Sequence, residues 1–433
     1  MKDTLLNRRT LFDALWLAAL VIYVLAGTTL VPFHADESTQ IAMSHDYAGL
    51  FIGRDLDAVA YRENPADPAQ QELRLVNGTI NKYLIGLAWH VNGFTEDDLN
   101  QPWDWGADWD YNQRTGHLPA GELLRAARWP SALLTAAGVV VMFALGREAG
   151  GRPAAYLASA YYALSPALLL NGRRAMMEGS LLFFSLLVVL AGVWFLRTYS
   201  WRTALLMGVA GGLALASKHT ALFTVAVVFG GCLLAVVAGS ILHPGGTLTY
   251  RAPTQLFVAG GLAAVVFLAL NPAWWDDPVR RAEEVLELRQ TLLEIQTSFF
   301  GHYDGLLEQV GGFVRQALVA LPQYYEAAGW DDYVGDQITR YEATLWRGVS
   351  IGGLVFLALI IVGFVALWRV SSVPVSTRLL VAGWALAMIG FTLLLTPLEW
   401  QRYYVPVFPA LGLLAALGLA YLLEVLWLRW RTG

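Results

Sequence analysis

Long apolar runs alternate along this chain with short basic connectors and two long acidic stretches. The apolar runs fall at about 12–31, 129–146, 154–170, 180–197, 203–217, 220–241, 255–273, 347–368, 379–397 and 405–427. A helix needs about 20 apolar residues to cross hydrocarbon, whereas membrane strands alternate in character over about 10. The pattern therefore predicts an all-α, polytopic membrane protein with about 10 transmembrane helices. The stretch 203–241 is too long for one crossing, so two are expected, with Lys218-His219 at the turn between them.

The connectors carry Arg8 and Arg9, Arg147 and Arg152, Arg197 and Arg202, Arg251, Arg369 and Arg378, and Arg429 and Arg431. Ten crossings put all of these on one side, which the positive-inside rule makes the cytoplasm. Both termini are then cytoplasmic, and 1–433 forms a single integral domain of the cell (plasma) membrane. Two loops, 32–127 and 274–346, face outward and hold 28 of the 34 acidic residues. Within them, 37–51, 73–91, 279–300 and 311–326 space apolar residues as helices lying along the outer surface would. Trp129, Trp201, Trp346, Trp368, Trp400 and Trp427 stand near the ends of runs, as an interfacial belt requires.

Composition narrows the classes. Hydrophobic residues make up 56% of the chain, net charge is −5, and no basic block suggests nucleic acid as a partner. The single cysteine, Cys232, lies within an apolar run and excludes an intrachain disulfide. The first run has the basic flank of a signal peptide, but Pro32-Phe33-His34 follows it instead of a small-residue cleavage site, so a retained helix is expected. No His-Glu-x-x-His, phosphate-cradling glycine loop or nucleophile elbow is present.

The carboxylates Asp36 and Glu37 open the first outer loop, next to the membrane boundary. A general base must be ionised and within reach of the proton it takes, and shielded carboxylates near cations satisfy both conditions. The plainer reading is a helix N-terminal cap. Lys82, Arg128, Arg173, Arg174, Lys218 and Arg402 come from five stretches but share one expected level, the outer helix ends. Charges there face an interior or a ligand, and a phosphate-bearing lipid would suit them; carboxylates such as Glu178 and Glu399 are the alternative partners. Tyr403, beside Arg402, could donate to a phosphate oxygen or serve as an interfacial anchor. Trp103, Trp105 and Trp109 alternate with Asp104, Asp108 and Asp110, the composition of a sugar-contacting surface or of a loop packed by its own tryptophans. Glu178 is a further candidate for acceptor or sugar contact. His302, with Asp304 or with carboxylates of the first loop, is a candidate metal ligand, and a lone histidine is more often structural.

These residues resemble a known family. PFHADESTQIAMSHDYAGLF is similar to the Asp-Glu signature that opens the first outer loop of the GT-C class of membrane glycosyltransferases. The branch it most resembles holds the protein O-mannosyltransferases and the bacterial aminoarabinose transferases that modify lipid A. NKYLIGLAWH, LLRAARWPSALLTAAGVV, NGRRAMMEGSLLFF, GGLALASKHTALF and WQRYYVPVFPALGLL follow in the family's order. The resemblance covers most of the chain to about residue 242 and returns at 396–413.

What it implies is an inverting transfer from a polyprenyl-phosphate sugar to a hydroxyl acceptor (protein, glycolipid or polymer) on the outer membrane face. Asp36 matches the family's base, with Glu37 in support. Lys82 and Tyr403 match contacts to the donor phosphate, Lys218 a lysine ending its span, and Arg128 an arginine starting the second. Tyr83 stands where the family commonly has proline, and the second outer loop does not align. Some members use a divalent metal at the carboxylates and others need none. A lipid-linked substrate transporter would call for ionisable groups at mid-span, and this sequence has almost none. A catalytically silent membrane subunit would fit better had Asp36 been lost.

Overall fold

The computed structural model describes residues 8–242, 248–327, 329–369 and 373–432. Among them every regular element is a helix. The chain begins with α1 (Arg8–Ala26), and the first outer segment then carries α2 (Ala35–Met43), α3 (Pro68–Val76) and α4 (Thr79–Val91). Next come α5 (Gly121–Leu164), α6 (Pro166–Arg173), α7 (Glu178–Thr198), α8 (Trp201–Ser217), α9 (Ala221–Leu242) and α10 (Leu248–Leu270). The second outer segment holds α11 (Pro278–Phe300), α12 (Leu306–Phe313) and α13 (Gly335–Glu342). Helices α14 (Gly353–Arg369), α15 (Val375–Leu395) and α16 (Phe408–Thr432) complete the fold.

Seven of the described helices are long and apolar enough to cross a membrane, and α8 and α14 are shorter apolar helices. The ten apolar runs are all helical but are divided differently from the expectation. Runs 129–146 and 154–170 meet in α5, which is two helices joined at Gly151, where φ is +77°. Only a residue without Cβ takes that value cheaply. The arms fold together so closely that a Cβ on Gly146 would lie 2.8 Å from the Ala154 carbonyl. Pro166 then starts α6, because the residue before a proline is pushed into extended backbone; Ser165 has ψ 119°. The main core joins α5, α7 and α16 through buried residues such as Met142, Tyr162, Val189, Leu411 and Leu414.

The outer segments depart from the expected surface helices. Ile41 on α2 and Ile85 and Trp89 on α4 are buried with Leu123 and Ala127 at the start of α5. These helices pack on protein because their apolar faces find a matching one there. The expected helix 73–91 is two, broken at Asn77-Gly78, both extended. The expected helix 311–326 ends at Ala320 in left-handed backbone, followed directly by Leu321-Pro322. Trp103 and Trp109 from the first segment and Tyr325 and Val334 from the second share one cluster with Phe33 and Ala35. That cluster clamps the two outer segments over the start of α2.

Candidate functional site

Helix α2 begins with an N-terminal box in which His34 is the cap: its Nδ1 accepts the Asp36 N–H at 3.1 Å, and the His34 N–H donates to Glu37 Oε2 at 3.1 Å. Successive residues on a helix point about 100° apart, so Asp36 and Glu37 part company at once. Glu37 is fully buried. It accepts from Arg128 Nε and Nη2, both at 2.7 Å, and from the Ala175 N–H at 2.8 Å. Burial alone would raise its carboxyl, but Arg128 holds it below the ordinary range. Glu37 and Arg128 therefore form a buried tie, and Arg128 spends its remaining arm on the Val31 carbonyl, at 2.7 Å.

Asp36 faces the other way, with its side chain 25% exposed, and pairs with Arg402. The Arg402 guanidinium lies 5.0 Å from the Trp400 ring and places its Nε 3.3 Å from Glu326 Oε1. Glu326 in turn accepts from His34 Nε2 at 2.8 Å, while the Tyr325 ring stacks on the imidazole at 4.6 Å. Burial, aided by Arg174 and Arg402, pulls the His34 pKa well below its ordinary value, so the ring is neutral. Burial pushes the Glu326 carboxyl up to about 7 against the pull of Arg174 and Lys218. Asp36, Arg402, Glu326 and His34 thus make one connected set, drawn from the two outer segments and the stretch before α16.

Arg173 and Arg174 do not face a ligand. Arg173 is fully buried and donates to the carbonyls of Val24, Tyr23 and Trp346 and to the Tyr341 hydroxyl. Arg174 donates to the Pro32 and Tyr324 carbonyls. Both stitch loop backbone together. Lys82 is also buried, with its Nζ 2.5 Å from Asp46 Oδ2, and Arg74 Nη2 approaches the same carboxylate at 2.7 Å. Burial would raise the Asp46 carboxyl, yet Lys82 and Arg74 bring it down to about 2. Lys82 therefore sits in a buried cluster of its own, where two cations share one carboxylate.

Lys218 donates to Glu178 Oε1 at 2.8 Å, and Glu178 Oε2 has no partner among the described residues. Glu178 is thus a buried counter-charge and not part of the tryptophan surface. Tyr403 donates to Gln296 Oε1 at 3.2 Å. Two turns earlier on the same face of α11, Arg289 donates to the Val76 carbonyl and contributes to holding buried His219 down at about 4. Both ring nitrogens of His219, the Trp274 Nε1 and the Thr79 hydroxyl lack partners among the described residues. Gly78 lets α4 reach this spot, since a Cβ there would meet the Ser217 carbonyl at 2.0 Å.

Trp103 is buried against Phe33 and Trp109, and exposed Trp105 stacks on Trp330 at 5.4 Å. His302 is exposed, with Asp304 3.9 Å away. Among the described residues no three His, Cys, Asp or Glu side chains stand close enough to hold a metal ion. Sequence reasoning passed over Glu326, His34, Asp46 and Arg289. Glu326 alone left a signal, a single carboxylate in the apolar-aromatic stretch LPQYYEAAGW.

The arrangement has relatives. The structure resembles that of ArnT from Cupriavidus metallidurans bound to undecaprenyl phosphate, with a TM-score of 0.51 and 16% identity over 95% of this chain and 60% of that one. The chain is a membrane protein with the fold of ArnT. ArnT in the apo state gives the same likeness, at a TM-score of 0.50, 15% identity and the same coverage. The archaeal oligosaccharyltransferase AglB from Archaeoglobus fulgidus, in complex with an inhibitory peptide and a dolichol-phosphate, reaches a TM-score of 0.49 at 15% identity, over 97% and 52% of the two chains. Residues 71–248 match the family model described as dolichyl-phosphate-mannose-protein mannosyltransferase. This chain spans about three-fifths of the length of ArnT. No curated protein matches it by sequence.

Proposed function

We propose that this protein transfers a sugar from a polyprenyl-phosphate donor to a hydroxyl acceptor, with Asp36 as the general base. The observation that carries the reading is the partly exposed ion pair between Asp36 and Arg402. It joins a potential base and a potential phosphate ligand in one contact, while Glu37, Arg128, Arg173 and Arg174 are locked into the fold. The likeness to ArnT, solved with undecaprenyl phosphate, and the match to the mannosyltransferase model make a polyprenyl-phosphate sugar the natural donor.

In this scheme the donor phosphate takes Arg402 from Asp36, with Tyr403, Arg289 and Lys218 close to the same level. Asp36, freed, removes the proton from the acceptor hydroxyl. The acceptor oxygen bonds to the anomeric carbon as the carbon–phosphate-oxygen bond breaks, and polyprenyl phosphate leaves. A single displacement inverts the anomeric centre. Guanidinium and phenol groups placed where charge grows on the leaving phosphate lower the barrier. Since Glu326 and His34 bond each other and Glu37 is saturated, the side chains around Asp36 do not form a metal cradle, and no step runs through a metal. The distribution of connector arginines supports a site on the outer face of the membrane.

Polyprenyl-phosphate mannose titrated into the detergent-purified protein tests the reading. Saturable binding is expected, weakened about tenfold or more by Arg402→Ala, which removes a charge-assisted contact, and kept in Asp36→Asn. Binding indifferent to Arg402 would overturn the phosphate assignment.

A further inference from the structure

The geometry points to Glu326 as the positioning residue for Asp36, acting through His34. This rests on the reading of Asp36 as the base. The His34 ring lies between the two residues. Its Nδ1 accepts the backbone N–H of Asp36 at 3.1 Å, and a nitrogen that accepts carries no proton. The proton of the neutral ring is therefore on Nε2, which donates it to Glu326 Oε2 at 2.8 Å. Either protonation state of Glu326 offers that oxygen as an acceptor. Its other oxygen, Oε1, stands 3.3 Å from Arg402 Nε, and the Nη1 of the same guanidinium pairs with the Asp36 carboxylate. One carboxyl thus holds the Asp36 backbone through His34 and stands beside the arginine that pairs with the Asp36 side chain.

Glu326 is itself fixed. Gln323 and Gln401 exchange bonds, the Gln323 N–H to Gln401 Oε1 at 3.1 Å and the Gln401 N–H to Gln323 Oε1 at 2.7 Å. This registers the 320–327 segment against the residue before Arg402. Tyr325, stacked on His34, fixes the same segment from the other side. The charged and titratable groups around Glu326 are His34 and Glu37 from the start of α2, Arg174 and Glu178 from the stretch leading into α7, Lys218 at the end of α8, and Arg402. Glu326 is the member of this set that reaches both His34 and Arg402.

Second residues that orient a reacting group typically matter about tenfold to a hundredfold. With polyprenyl-phosphate mannose as donor, Glu326→Ala should lower turnover by about that factor and leave donor affinity unchanged. Glu326→Gln, which still accepts from His34, should recover most of the loss. In an Asp36→Asn background Glu326→Ala should have no further effect, because nothing remains to be positioned. The ring proton is a readout independent of turnover. In protein labelled with ¹⁵N-histidine, with the His34 signals assigned by their loss in His34→Gln, an Nε2–H held in a hydrogen bond and slow to exchange is expected in wild type and Asp36→Asn, and a fast-exchanging one in Glu326→Ala. An Nδ1-protonated ring in wild type, or full turnover in Glu326→Ala, would overturn the assignment. If the wild type transfers nothing, the transfer reading fails, and the exchange of the Nε2–H still decides whether Glu326 holds His34.

Discussion

Glu37 and Arg128, 91 residues apart, meet in a two-pronged ion pair with both contacts at 2.7 Å and neither side chain more than 3% exposed. Glu37 also takes N–H groups from His34 and Ala175, which leaves its carboxylate no capacity for chemistry. Removing one partner of such a pair strands a buried charge and costs about 3–5 kcal/mol. Arg128→Met should therefore lower the unfolding temperature in detergent markedly, with activity falling only as folded protein is lost. Asp36→Asn should leave that temperature near the wild-type value.

Lys82 and Asp46 make a second buried pair, shared with Arg74. Lys82→Met leaves Asp46 with Arg74 alone, a loss of about 1–3 kcal/mol. Adding Asp46→Asn should return part of it, a coupling visible in a thermal double-mutant cycle. The Asp46 carboxyl is depressed to about 2, so its contribution is present above the ordinary carboxylate pKa and disappears as pH falls through about 2. Acid unfolding of Asp46→Asn should be correspondingly less steep below pH 4.

Glu326 behaves oppositely. Its carboxyl is raised to about 7, so the folded protein holds a proton that the unfolded chain has released. The favourable contribution is complete below the ordinary value of 4.5 and is lost as pH rises through about 7. Wild-type stability relative to Glu326→Gln should therefore decline between those two values. Paired denaturation curves at intervals across that range check the sign.

Gly78 allows α4 to meet the end of α8. A Cβ would sit 2.0 Å from the Ser217 carbonyl, and backbone cannot step aside as a flexible side chain can. Gly78→Ala should cost about 1–3 kcal/mol and displace Lys218 from Glu178. Reduced thermal stability with weakened donor binding is the expected result.

Much of the fold was legible because bilayer thickness imposes a run length that hydropathy displays directly. The hairpin inside α5 was legible as two runs, but the positive φ of Gly151 that makes it was not. Asp36 stood out by its place at the membrane boundary, and Arg402 by its level. Arg173, Arg174, Arg128 and Glu37 looked like site residues because sequence shows a charge at a boundary without showing whether backbone carbonyls or a buried partner absorb it. Glu326 was hidden for the opposite reason: it reaches the site only through the packing of a second segment that carries no periodic signal after Ala320.

The most direct test is release of polyprenyl phosphate from polyprenyl-phosphate mannose by membranes holding equal amounts of folded wild type or Asp36→Asn. A positioned base contributes about 10²–10⁴-fold to rate. The account predicts a loss in that range for Asp36→Asn, with donor binding and thermal stability retained. Near-normal release from Asp36→Asn would contradict it.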